Sequence, residues 1–193
     1  MKAFGYVDHD DMLSEVADTT CGSICYSYVR DFLQSCTLTI QIGEHKFDTV
    51  PHPQRGTSQG VVLSPTLFIL TMRRIQRALE PFPEIQYSLY ANDIPIWINR
   101  GSTRFIQDNL QATLRAVDQA AHTIGLACSA EKTTLLLVHS RHWNPPQVVL
   151  HHPDNPIQPQ KTLKVLGHHM QSDGGGSALQ HILRQGESTL NMI

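Results

Sequence analysis

Long apolar runs are absent from this 193-residue sequence: no stretch approaches the length of a membrane-spanning helix, and none opens the chain. We therefore expect a cytosolic or nuclear protein without a transmembrane segment. The dense cysteine spacing of a secreted disulfide framework is also missing. The four cysteines are most simply interpreted as reduced, small apolar side chains, and they are Cys21, Cys25, Cys36 and Cys128.

Neither sign of charge dominates the sequence. The 15 Lys and Arg residues are balanced by 17 Asp and Glu residues, and the net charge of -2 gives no global sign of a polyanionic partner. Any such contact must be local. Arg73, Arg74 and Arg77 form one basic cluster with no acid among them. Two interpretations stay open for it, a nucleic-acid contact or the solvated face of a helix.

Hydrophobic periodicity predicts short strands between helices. Helices are predicted over 22–33, from a Ser64 cap to about Leu79, from a Ser102 cap to about Gly125, and from about Ser177 onward. Strands are predicted over 37–42, 46–50, 86–90, 94–98, 133–138 and 163–166. A chain of this length buries one core, and this order of elements indicates an α+β fold, an antiparallel sheet with helices packed on one side.

Two motifs carry the chemistry. The first is RGTSQGVVLSP over residues 55–65, where two glycines allow the backbone to pass close to a nucleotide before Pro65 opens a helix. The second is YAND over residues 90–93, between two strand-like runs. A hairpin tip of this kind would hold acidic side chains toward a metal ion.

In this arrangement the chain resembles the reverse transcriptases of non-LTR retrotransposons, particularly tick-type arthropod transposon reading frames. Residues 2–13 are similar to the tail of motif A, whose usual form is D-x-x-x-A-F-D-x-V-x-H. Residues 55–68 are similar to motif B and residues 90–97 to motif C. Residues 125–133 are similar to motif D, and residues 163–167 to motif E. The five motifs stand in family order over about residues 1 to 170.

The resemblance implies three regions: a partial palm over residues 1–138, a Pro-rich connection with motif E over 139–170, and the start of a thumb-like helical region over 171–193. It implies RNA-templated DNA synthesis through two metal ions, with Mg²⁺ as cofactor and with an RNA template and a DNA primer as partners. The implied site residues fall into a catalytic group and a group bordering nucleotide and template. The first group is Asp93 as metal ligand, Asn92 at the neighbouring acid position and Lys132 near the phosphates; the second is Arg55, Gly56, Gln59 and Gly60.

Several positions depart from the family pattern. Asn92 replaces the first of two motif C carboxylates, Gly5 replaces the second aspartate of motif A, and the first motif A aspartate would precede Met1. A neutral amide is a poor substitute because magnesium prefers charged oxygen ligands. Asp8, Asp10 and Asp11 lie near the right segment, but Asp8 or Asp10 is better explained as the cap of a short helix through Glu15 and Val16. We therefore expect a decayed or truncated copy of the polymerase.

Two functional hypotheses remain. One is a reverse transcriptase fragment that has lost activity, and the other is a non-enzymatic nucleic-acid-binding or interaction module that keeps the palm surface. A zinc-finger interpretation of the eleven histidines is disfavoured, since no Cys or His pair at finger spacing is matched by a second pair.

Overall fold

The computed structural model describes residues 5–51, 54–57, 60–139, 147–152 and 155–173. Its residues belong to two compact units. The first unit is drawn from Met1–Pro83, Ser88–Ile94 and Ala116–Ala127, and the second from Glu84–Tyr87, Pro95–Arg115 and Cys128–Ile193. Within the described ranges, no helix combines the length and the apolar character that crossing a membrane requires.

The helices of the described residues alternate with short strands. The helices are α1 (His9–Ala17), α2 (Gly22–Gln34), α3 (Leu63–Thr71), α4 (Arg73–Leu79) and α5 (Thr103–Thr123). The strands are β1 (Thr37–Leu38), β2 (Gln41–Ile42), β3 (His45–Lys46), β4 (Val50–Pro51), β5 (Gln86–Tyr87), β6 (Ile96–Trp97), β7 (Leu135–Leu136), β8 (Leu150–His151), β9 (Pro156–Ile157), β10 (Pro159–Gln160), β11 (Thr162–Val165) and β12 (His168–Gln171). The α+β character expected from the sequence is confirmed.

Strand pairing differs from the single antiparallel sheet that we expected. In the described ranges the strands form only two-stranded ladders. The antiparallel ladders are β1–β4, β2–β3, β5–β6, β8–β9 and β11–β12, and β7 pairs with β10 in parallel. Parallel pairing needs a long crossover rather than a tight turn, so no local sequence signal marks it.

The first unit is held together by the apolar faces of its helices. Helix α1 packs against α2 and α3, and α3 packs against α4. Residues spaced three or four apart point to the same side of a helix, which is why each of these helices buries one stripe. The buried side chains include Met12, Leu13, Val16, Val29, Leu33, Leu67, Phe68, Ile75 and Leu79.

The second unit has a smaller core beside the first half of α5. Leu135, Val148, Leu150 and Ile157 form it, and Leu110, Leu114 and Leu137 pack around them. The Gln111 side chain accepts a hydrogen bond from the His151 amide at 2.8 Å and donates one to the His151 carbonyl at 3.0 Å. The side-chain amide of Gln111 therefore satisfies the backbone N–H and C=O groups of His151 in β8, as a neighbouring strand would.

Helix boundaries test the predicted caps. Ser102 accepts a hydrogen bond from the Phe105 amide at 3.3 Å and caps α5, as predicted. The predicted Ser64 cap is wrong, because α3 begins at Leu63 and its cap is Val62, whose backbone is already helical. The predicted single helix to Leu79 is also divided, with Met72 between α3 and α4.

Candidate active site

The tail of motif A is joined to the start of motif B by backbone pairing within the first unit. The Gly56 amide donates to the Val7 carbonyl at 2.7 Å, and the His9 amide donates to the Gln54 carbonyl at 3.2 Å. Between them, Asp8 and Arg55 form an isolated antiparallel bridge. Two segments almost fifty residues apart in the chain are thereby fixed in one register.

A histidine side chain strengthens this junction. His9 is buried, and its Nε2 lies 2.8 Å from the Gly56 carbonyl oxygen. Since a carbonyl only accepts, Nε2 must carry the proton in this contact. The Asp8–Arg55 ion pair at 3.7 Å adds little, because the Arg55 side chain is 67% exposed and the Asp8 side chain is 39% exposed.

Glycine is required at position 56. Its φ is +73°, and a Cβ there would lie 2.5 Å from the Gly5 Cα and 2.7 Å from the Gly5 carbonyl oxygen. Any side chain would force the two backbones apart. Gly5 itself has open space around its own Cβ position, so steric exclusion does not explain why glycine replaces the family's aspartate there.

Three further motif B residues were assigned to the site by the resemblance. Gly60 is exposed with a φ of +92°, which supports the predicted need for glycine in this loop. Gln59, which the resemblance assigns to nucleotide and template contact, lies outside the described residues. Arg55 is two-thirds exposed and is available to an external anion.

Motif C forms the predicted tight turn. The Tyr90 and Asp93 backbones exchange two hydrogen bonds of 3.0 and 2.9 Å, and Ala91 takes a positive φ of 50° within the turn. Asn92 and Asp93 are both exposed. Asp93, which the resemblance assigns to metal binding, therefore stands in solvent at a turn, and so does Asn92 at the neighbouring acid position.

A magnesium site does not fit around Asp93 as the described residues are arranged. Two-metal catalysis needs several carboxylates converging on the ions. Among the described residues, Asp93 belongs to no group of three or more His, Cys, Asp or Glu side chains whose ligand atoms lie close together. With Asn92 neutral, the turn presents one carboxylate.

Two of the acidic residues considered as replacements, Asp8 and Asp11, serve other roles. Asp8 is the N-cap of α1, and its Oδ1 accepts a hydrogen bond from the Asp10 amide at 3.1 Å. Asp11 pairs with Arg74 at 2.7 Å. The interpretation of Asp8 as a helix cap is confirmed.

The basic cluster on α4 faces protein acids. Glu15 on α1 is 1% exposed, and its Oε1 accepts hydrogen bonds from Arg74 Nε at 3.1 Å and Arg77 Nη1 at 2.8 Å. Arg77 also pairs with Asp18 at 3.1 Å. The hydrogen bond that Arg77 donates to Glu15, and then the negative charge of Glu15, raise the pKa of Arg77 above its ordinary value. The sequence suggested a nucleic-acid contact or a solvated helix face for this cluster. Neither interpretation anticipated that Arg74 and Arg77 pair with acids of the same chain.

Lys132, assigned by the resemblance to the phosphates, lies in a turn of the second unit. Its amide donates to the Ser129 carbonyl at 3.2 Å, and the residue is exposed. Among described residues its ammonium group has no ion-pair partner. It is thus accessible to an external anion, as a surface lysine also would be.

Glu15 is a residue whose role the sequence did not reveal. The available signal was an acid placed among the buried Met12, Leu13 and Val16 on one helix face. A buried carboxylate requires a cationic partner. The partner could not be identified locally, because Arg74 and Arg77 lie about sixty residues away.

Comparison with known proteins supports the family resemblance. The family described as reverse transcriptase (RNA-dependent DNA polymerase) matches residues 1–170. The chain is also 30% identical over 83 residues to the retrotransposable element SLACS 132 kDa protein of Trypanosoma brucei gambiense. That match covers 42% of this chain and 6% of the relative, so the chain spans a small part of that protein's length. By the extent of the family match, the chain belongs to the reverse transcriptase family of RNA-dependent DNA polymerases.

Proposed function

We propose that this chain is a segment of the reverse transcriptase domain of a non-LTR retrotransposon of the tick-type arthropod group, and that its nucleotide addition is strongly impaired. The observation that carries the proposal is the motif C segment, which forms a tight turn but presents Asn92 beside Asp93. The family generally uses Mg²⁺, an RNA template and a DNA primer. Metal binding at this turn is the step that we expect to be weakened.

The proposal assigns one region to each part of the polymerase. Residues 1–138 would be a partial palm carrying motifs A to D, and residues 139–170 a Pro-rich connection with motif E. Residues 171–193 would begin a thumb-like helical region, and most of them lie outside the described residues.

Within the partial palm, motif B would border the nucleotide and the template. Gly56 and Gly60 both have positive φ, which lets the backbone approach a ligand without a Cβ in the way. Arg55 and Gln59 would supply polar contacts, and Lys132 would approach the phosphates. The His9 hydrogen bond to Gly56 supports this assignment, because it holds the start of motif B in one conformation.

The first prediction concerns catalysis. We expect no detectable primer extension on an RNA template with Mg²⁺ or Mn²⁺, since losing metal carboxylates slows two-metal chemistry by on the order of a thousandfold or more. Extension of a labelled primer on a sequencing gel measures it, with an active reverse transcriptase as the positive control.

An Asn92→Asp variant sharpens this experiment. The change restores a second carboxylate at the turn, but the motif A position at Gly5 still lacks one. The variant should therefore remain inactive. Robust template-dependent extension by either chain would show that other acids complete the metal site and would refute the impairment.

A second candidate function is nucleic-acid binding without catalysis, favoured by the intact junction of His9 with Gly56 beside the exposed Arg55. Phosphate contacts would make such binding strongly dependent on salt, because binding releases counterions. Salt-dependent affinity without extension would favour this candidate.

The second prediction tests Arg55 directly. Arg55→Gln should weaken binding of an RNA–DNA primer-template by roughly threefold to tenfold and reduce the salt slope by about one, as loss of one phosphate contact does. Fluorescence anisotropy at several salt concentrations measures both. Arg30→Gln is the matched control, because Arg30 is also an exposed arginine beside one aspartate. Equal weakening by both variants would show that Arg55 contributes only its net charge.

A further inference from the structure

A cysteine and a histidine come together within the second unit. The Cys128 sulfur and an imidazole nitrogen of His152 lie within 4.8 Å of one another, although more than twenty residues separate them in the chain. Cys128 is half-buried and outside any disulfide, and His152 is only 5% exposed. Cys128 belongs to the segment similar to motif D, but the resemblance gives it no role.

The backbone holds His152 in place. Its amide donates a hydrogen bond to the Asn155 carbonyl at 2.8 Å, which closes the connection between β8 and β9. The preceding residue, His151, is fixed to α5 through both hydrogen bonds with the Gln111 side chain. The position of the imidazole is therefore set by the fold before any ligand arrives, which lowers the cost of binding one.

The two side chains are a donor set that suits zinc. Thiolate sulfur and imidazole nitrogen are preferred ligands of Zn²⁺ and of similar ions, whereas Mg²⁺ prefers oxygen. A tetrahedral ion with Zn–S and Zn–N bonds of about 2.3 and 2.0 Å places its sulfur and nitrogen ligands roughly 3.6 Å apart. The separation of Cys128 and His152 allows this arrangement. The partial exposure of Cys128 gives the ion and water access to the pair.

We propose that Cys128 and His152 bind a divalent cation of the zinc class, with water in the remaining coordination positions. The cation takes the place of the thiol proton, which is released to solvent, and binds the imidazole at a nitrogen that carries no proton. Paired finger spacing is not needed here, because the fold and not the local sequence brings the two ligands together. The proposal does not depend on whether the chain polymerises DNA.

The test uses Co²⁺ as a coloured substitute for Zn²⁺ and the whole chain kept reduced. A charge-transfer band from thiolate to cobalt should appear and should disappear when Zn²⁺ is added. Cys128→Ser and His152→Gln should each weaken binding at least tenfold. Cys36→Ser is the matched control, since Cys36 is also half-buried and its thiol donates to the Phe32 carbonyl at 3.0 Å. Binding that survives either variant, or falls equally in the control, overturns the proposal.

Two further measurements need no substitution, which matters because His152 is buried and its replacement could disturb the hairpin. Alkylation with iodoacetamide and mass spectrometry should show that one equivalent of Zn²⁺ slows the modification of Cys128 several-fold and changes that of Cys36 little. Nitrogen-15 NMR should show that Zn²⁺ shifts the imidazole resonances of His152 and not those of the exposed His151. If the reactivity of Cys128 or the resonances of His152 stay unchanged, the two residues do not form the site.

Discussion

Glu15→Gln should lower the free energy of unfolding by about 2–4 kcal/mol. The carboxylate of Glu15 is almost fully buried and accepts from both Arg74 and Arg77 through one oxygen. Removing one member of a buried charge network leaves the others without their compensation, which costs more than the original pairing contributed. Urea unfolding followed by circular dichroism measures the change.

The matched control is Asp18→Asn, which removes one negative charge from the same network. Asp18 is half exposed and pairs with Arg77 at 3.1 Å, so solvent screens this interaction. Its substitution should cost less than about 1 kcal/mol. Equal losses from the two variants would mean that net charge, and not the burial of Glu15, decides the stability of this junction between α1 and α4.

The second oxygen of this carboxylate does not offset the expected cost. Glu15 Oε2 is buried and has no hydrogen-bond partner among the described residues. Glutamine can place its NH₂ group there, and a buried donor without an acceptor carries its own desolvation cost. The variant thus exchanges an unsatisfied buried acceptor for an unsatisfied buried donor, and the loss of negative charge toward Arg74 and Arg77 decides the cost.

Local features of the sequence were the most predictable. The Ser102 cap and the long apolar stripe of α5 correctly predicted a helix that the structure gives as Thr103–Thr123. The YAND motif correctly predicted a tight turn, and the spacing around α2 predicted a helix over nearly its full extent. In each case the deciding interactions join residues within one or two turns of chain.

Contacts between distant residues were not predictable in the same way. The parallel pairing of β7 with β10 joins segments more than twenty residues apart, and the Glu15 network joins α1 to α4. Met72 separates α3 from α4 with neither glycine nor proline to mark the division. Tertiary packing decides such features, and it can override local propensity.

At the candidate site, the motif resemblance gave some information about contacts between distant residues. It brought His9 and Gly56 into one hypothesis by their positions in motifs A and B, although composition and periodicity gave no reason to connect them. The hydrogen bond between them now gives a physical role to both residue types. The resemblance did not indicate that Gly5 lies against Gly56, because that contact depends on the register of the two backbones.

Gly56→Ala should therefore be a severe substitution, with an expected loss of about 3 kcal/mol or more in unfolding free energy. The positive φ alone costs roughly 1–2 kcal/mol for a residue with a Cβ. The new methyl group would also overlap the Gly5 backbone at 2.5–2.7 Å, and no flexible side chain is available to move aside. Relief of the overlap requires separating the two segments, which breaks the bond from the Gly56 amide to the Val7 carbonyl.

Gly43→Ala separates these two contributions. Gly43 also has a positive φ, of 61°, but a Cβ at that position would meet nothing within 4 Å. Its substitution should cost only the conformational term of roughly 1–2 kcal/mol. Thermal and urea unfolding of both variants, with hydrogen exchange at the residue 56 amide, measure the difference. A similar loss in both would show that the backbone at Gly5 yields to the methyl group, and that the close contact between the motif A and motif B segments does not require glycine.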